Sequence, residues 1–140
     1  MYMKYLRILI FLVSFSVFLN ANTYRDMVKV SLKKDETKRV LVKYGKIQKL
    51  FQFRWTLFVN DGLIILKSYD DIVSQNILYL NHKNQSFRTE LLSRGANNYK
   101  TPYILVKFLK FDYEKNKAKF ELFLSDDEVR VRVKYLKNDE

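Results

Sequence analysis

Apolar and polar residues alternate with a period of two along most of this chain, and clusters of Gly, Asn, Asp and Lys break the alternation about every ten residues. A period of two puts successive side chains on opposite faces of an extended backbone, so the pattern predicts strands rather than helices. The alternating runs are Met27 to Lys33, Arg39 to Tyr44, Gln48 to Val59, Leu63 to Ser68, Asn76 to Leu80, Ser86 to Leu92, Tyr103 to Tyr113, Ala118 to Leu124 and Val129 to Leu136. With no internal repeat and no Pro- or Ser-rich linker, they predict an all-β fold. The expected form is a single antiparallel meander domain of about 8–9 strands, curled into a small barrel or folded into a sandwich. The segment KSYDDIVSQN leaves room for one helical turn capped by Asp70.

Register sharpens the expectation. If Glu114 to Lys117 form a turn, Phe111 faces Phe120 and Leu109 faces Leu122 on one side, while Asp112 faces Lys119 and Lys110 faces Glu121 on the other. A further turn over Ser125 to Glu128 sets Leu122 against Val131 and Phe120 against Val133, and aligns Lys110, Glu121 and Arg132 in one row of alternating sign. A slip of one residue would reverse both faces. A second hairpin is expected at Asp61-Gly62, a favoured pair for a two-residue turn, with Val59 against Ile64 and Leu57 against Leu66. A third has its tip at Asn81 to Asn84 and sets Leu78 against Phe87.

The same register leaves apolar residues on faces expected to be wet. Ile104, Val106 and Phe108 share a face with Lys110 and Asp112, Phe123 lies opposite Phe108, and Phe58 sits on the reverse of its own hairpin. Either another layer of the domain covers these residues or they form an exposed patch or cavity wall.

The segment before the first strand changes the picture of location. Ile8 to Leu19 is an uncharged run, apolar except for Ser14 and Ser16, preceded by Lys4 and Arg7 and followed by the small Ala21. As a helix it would rise only ~18 Å against a hydrocarbon core of ~30 Å. Basic, apolar and cleavage regions in that order predict a secretory signal peptide over residues 1–21 and an exported, periplasmic domain over residues 22–140. Leu19 is bulkier than an ideal cleavage-site residue. The chain has no cysteine, so no disulfide supports the fold.

Without Lys4 and Arg7 the 26 Lys and Arg fall to 24 against 15 Asp and Glu, a balance of +9. An exported domain so basic meets anionic lipids, envelope glycans or acidic proteins; nucleic acid is not an expected partner. The reactive inventory is thin. Gly45, Gly62 and Gly95 are too scattered for a phosphate loop, and one histidine, His82, with no cysteine cannot assemble a Ser/His/Asp, Cys/His or zinc set. Neither Asp70-Asp71 nor Asp126-Asp127-Glu128 matches an EF-hand spacing, and both sit at expected turns. No catalytic residue, metal or cofactor is expected.

The candidate binding residues are therefore Val106, Phe108 and Phe123 on the unexplained apolar face, Arg130 and Lys134 from the alternating VRVRVKY stretch, and Arg94 and Tyr99 in the long loop SRGANNYKT. Together they point to a non-enzymatic periplasmic accessory protein that engages another envelope protein or an anionic envelope polymer through a sheet surface, with peripheral membrane contact within its range. The alternatives are a carrier holding an acyl chain in a barrel interior and a hydrolase working with carboxylates alone.

Overall fold

The computed structural model describes residues 24–93 and 100–137. The expected signal peptide over residues 1–21 lies outside the described residues, as do Arg94 and Tyr99. The described chain is nine antiparallel strands without a helix: β1 (Asp26–Lys33), β2 (Lys38–Tyr44), β3 (Ile47–Val59), β4 (Gly62–Tyr69), β5 (Ile72–Tyr79), β6 (Ser86–Glu90), β7 (Tyr103–Asp112), β8 (Lys117–Ser125) and β9 (Arg132–Tyr135). They form two sheets, of order β1-β8-β7-β6 and β5-β4-β3-β2-β9. The chain changes sheet after β1, after β5 and after β8, so the meander is folded over on itself as a sandwich.

The turns follow from residues that tolerate a left-handed backbone. Asn60 and Asp61 both have positive φ, at 50° and 62°, and Val59 pairs with Gly62. The turn therefore sits one residue earlier than Asp61-Gly62. A Cβ at Gly62 would lie 3.0 Å from the Tyr79 ring, so a larger residue there would require that ring to shift. Asp70 and Asp71 repeat the device at 53° and 63°. They make a two-residue hairpin turn in place of the helical turn considered for this segment, and β5 accordingly begins at Ile72.

The inward faces meet in a core of aromatic and branched side chains. Phe53 of β3 packs edge-on against Phe120 of β8 at 5.3 Å and against Phe87 of β6 at 5.9 Å. Trp55 packs on Phe111 at 5.5 Å and donates from Nε1 to the Leu32 carbonyl, which satisfies its polar atom inside the core. With Phe51, Phe53, Phe108, Phe120, Leu122 and Leu124 all fully buried, each such side chain contributes ~1.5–3 kcal/mol of transfer free energy.

Two bulges overturn the expected register. On β7 the pairing shifts between Phe108 and Lys110. Before the shift Ile104, Val106 and Phe108 face inward against Leu124, Leu122 and Phe120; after it Phe111 faces inward against Ala118. The extra residue reverses the parity of the strand, so Phe111 reaches the same core as Ile104, Val106 and Phe108. Leu109 does not oppose Leu122, and Val106 and Phe108 are core residues at 0% exposure rather than members of a surface patch. The shift between Trp55 and Leu57 on β3 does the same for Phe58, which turns inward and stacks on Phe111 at 4.2 Å.

The expected β8–β9 hairpin does not form. β9 crosses to pair with β2, and β1 takes the flank of β8. Glu121 still lies between two cations across three strands, but they are Lys29 and Lys107 rather than Lys110 and Arg132. Likewise Leu78 and Phe87 are both buried but belong to different sheets. The crossover after β8 is held by Asp126, whose fully buried carboxylate accepts from Arg25 Nε at 3.0 Å and from the Val131 amide at 3.1 Å.

Candidate functional site

The outer face of the five-stranded sheet is built from alternate positions of its strands. β2 presents Arg39, Leu41 and Lys43, and β9 adds Arg132 beside Lys43 and Lys134 beside Leu41. β3 presents Gln48, Leu50, Gln52 and Arg54, then Leu57 after its bulge. β4 presents Ile64, Leu66 and Ser68; β5 presents Val73, Gln75 and Ile77. Leu57, Ile64 and Ile77 form one continuous apolar row across three strands. The charged residues at these positions are Arg39, Lys43, Arg54, Arg132 and Lys134, with no carboxylate among them.

Of ten large apolar residues that are well exposed among the described residues, five lie on this face: Leu50, Leu57, Val59, Val73 and Ile77. A sheet face turned to water ordinarily carries polar residues of both signs. This one is apolar and cationic. At its centre a groove of about 390 Å³ is lined by Gln52, Ser68, Arg39, Arg54, Leu66 and Val73.

Lys67 lies at the margin of that groove and ties it to the opposite sheet. Its ammonium donates to the Arg88 carbonyl at 3.2 Å and the Thr89 hydroxyl at 3.3 Å and stands 4.7 Å from the centre of the Phe87 ring. Burial pulls its pKa below the usual lysine value. Beyond Lys67, the Tyr69 hydroxyl donates to the Leu91 carbonyl at 2.6 Å, and burial, reinforced by Asp70, pushes its pKa up to about 12.

The opposite surface differs. On the four-stranded sheet the outward row Met27, Phe123 and Leu105 is apolar, and Tyr24 covers Phe123 with ring centres 4.8 Å apart. Arg88 stacks on Tyr103 at 3.9 Å and pairs with Glu90. Both signs of charge are present there.

At one end of the sandwich the turns gather a cluster of Phe58, Phe111 and the exposed Tyr113, with clefts of about 340 and 320 Å³ on its two sides. His82 lies in the first cleft, its ring 5.9 Å from that of Tyr79. Among the described residues no group of three or more His, Asp or Glu is placed to hold a metal.

The residues singled out from the sequence are thus dispersed. Val106 and Phe108 are in the core, Phe123 is half-buried on the four-stranded sheet, and Arg130 lies in the crossover loop 3.7 Å from Asp126. Lys134 alone of the described candidates lies on the apolar, cationic face. Arg39, Arg54, Leu50 and Val73 were not anticipated there. A signal for them exists in residues 38–54, KRVLVKYGKIQKLFQFR, which hold six cations and no carboxylate. Comparison of the chain with protein-family models, curated protein sequences and solved structures finds no match.

Proposed function

We propose that this chain is an exported, non-enzymatic binding protein that engages an anionic component of the cell envelope through the outer face of its five-stranded sheet. One observation carries the reading: among the described residues, the outward strand positions of that face hold five cations beside the Leu57, Ile64 and Ile77 row and no carboxylate. Cations near an anionic surface contribute on the order of 1 kcal/mol each, and adjoining apolar side chains add area removed from water on contact. The export step rests on the leader sequence.

The hydrolase and carrier readings have less support. Asp35, Asp61, Asp70 and Asp71 occupy left-handed turn positions, and Asp126 is engaged by Arg25, so these carboxylates have structural work. Between the sheets Phe51, Phe53, Phe108 and Phe120 occupy the space an acyl chain would need.

The test is co-sedimentation of the exported protein with isolated envelope fractions at low and high salt. Arg54→Glu with Lys134→Glu should abolish a salt-sensitive retention. Unchanged retention in that variant, with loss in Lys29→Glu/Lys107→Glu on the opposite sheet, would overturn the assignment.

A further inference from the structure

β5 is an edge strand: it pairs with β4 on one side, and β4 separates it from the rest of its sheet. Its sequence, IVSQNILY, makes it the one strand of the nine described that carries no charged residue. Ile72 and Val73 are exposed at 72% and 70%. Edge strands are usually protected by charge, proline or a bulge, and none of these interrupts β5.

The phase of the free hydrogen-bonding groups follows from the hairpin. Tyr69 and Ile72 close the two-residue turn and form a hydrogen-bonded pair, so the even-numbered residues of β5 direct their N–H and C=O groups to β4. Val73, Gln75, Ile77 and Tyr79 direct theirs to the free edge. The Tyr79 amide is already used, donating to the Asn84 carbonyl at 3.0 Å, which among the described residues leaves Val73, Gln75 and Ile77.

We propose that two copies of this chain associate by antiparallel pairing of their β5 edges about a two-fold axis at Gln75. In that register Val73 pairs with Ile77 of the second copy and Gln75 with its own counterpart, which uses every free residue in about six backbone hydrogen bonds. Centring the axis on Ser74 would bring in Asp71, held at φ 63° in the turn, and centring it on Asn76 would require the occupied Tyr79 amide. Neither uses the edge as fully.

Side chains agree with the register. On the face turned toward the core, Ser74 falls opposite Asn76 of the second copy in the closer, non-hydrogen-bonded type of pair. Ile72, exposed in one copy, falls opposite Leu78 of the other.

Charge agrees as well. An exported domain with a charge balance of +9 repels itself over most of its surface, and β5 is where no cation would face a cation. At each end of the paired strands Asp71 falls opposite Tyr79 of the second copy, next to the loop that bears His82 and Lys83. The joined sheet would present two cationic, apolar faces side by side and raise avidity for an extended anionic partner.

Because the chain has no cysteine, single thiols report the register directly. Gln75→Cys puts the two thiols on the axis, in a pair with Cα atoms ~5.5 Å apart, within disulfide range. Val73→Cys separates them by ~13 Å along the strand. The expected result is rapid oxidation of the first variant to a covalent dimer and none of the second, together with a mass that doubles over a concentration series by sedimentation equilibrium. Gln75→Pro should give a monomer that melts like the parent, because the lost N–H points away from β4; Ile77→Lys, which charges the edge, should do the same. A parent that stays monomeric throughout, or equal cross-linking of the two cysteine variants, would overturn the proposal.

Discussion

Arg25 and Asp126 lie 101 positions apart in the chain and meet at 2.8 Å where β8 leaves one sheet for the other. The carboxylate has no solvent exposure and also accepts the Val131 amide, while Arg25 donates to the Val131 carbonyl at 2.5 Å. The hydrogen bond to Asp126, more than the charge alone, raises the pKa of Arg25 above its ordinary value. Asp126→Ala should cost ~2–4 kcal/mol, since it leaves a buried amide and a guanidinium without their acceptor. Asp126→Asn, which keeps one acceptor, should cost less. Urea titration of both variants checks the order.

The position of β1 has a direct electrostatic test. Glu121→Lys sets a third cation between Lys29 and Lys107, with an expected loss of up to ~1 kcal/mol in solvent. Lys107→Glu in the same chain should restore the thermal midpoint. Arg132→Glu should not, because Arg132 lies on the other sheet. Rescue by Arg132→Glu would return β9 to the flank of β8.

Phe108 and Phe123 separate core from surface. Phe108→Ser removes a ring with no exposure and adds a hydroxyl among apolar neighbours, at ~3–5 kcal/mol or more. Phe123→Ser removes a half-buried ring whose ring partner is Tyr24, and should cost a fraction of that. Thermal melts of the two variants should differ by well over ten degrees, given the ~4–8 °C per kcal/mol of a small domain.

Two tyrosines set the alkaline limit. Tyr69 and Tyr135 have pKa values pushed up to about 12, in each case chiefly by burial. An unfolded tyrosine titrates near 10, so between pH 10 and 12 the unfolded chain releases protons that the folded chain keeps. Stability from these groups is complete below pH 10 and lost as pH rises toward 12. Tyr69→Phe should be less stable at neutral pH, through the lost bond to the Leu91 carbonyl, and should lose less stability across that window. Denaturant melts at several alkaline pH values would show the flatter slope.

Strand identity was largely legible in the sequence, because a face is a local property: alternate residues point the same way, and Asn and Asp mark where a left-handed turn is tolerated. All nine expected strands are present, and β1, β2, β3, β4, β7 and β8 agree with the sequence pattern to within one residue at either end. Pairing is not local. Leu109 and Thr56 sit in bulges that reverse strand parity while leaving the local composition unchanged, so Phe108 and Phe58 read as misplaced until the opposite sheet was there to receive them. The same limit hid the candidate face. Lys134 and Arg54 stand 80 positions apart, and only the crossing of β9 to β2, stabilised by Arg25 on Asp126, places them on one surface. Alternation along the chain therefore determined which residues form strands and which turn, whereas the burial available across two complete sheets decided which strands are neighbours, in what register, and which polar side chains share a face.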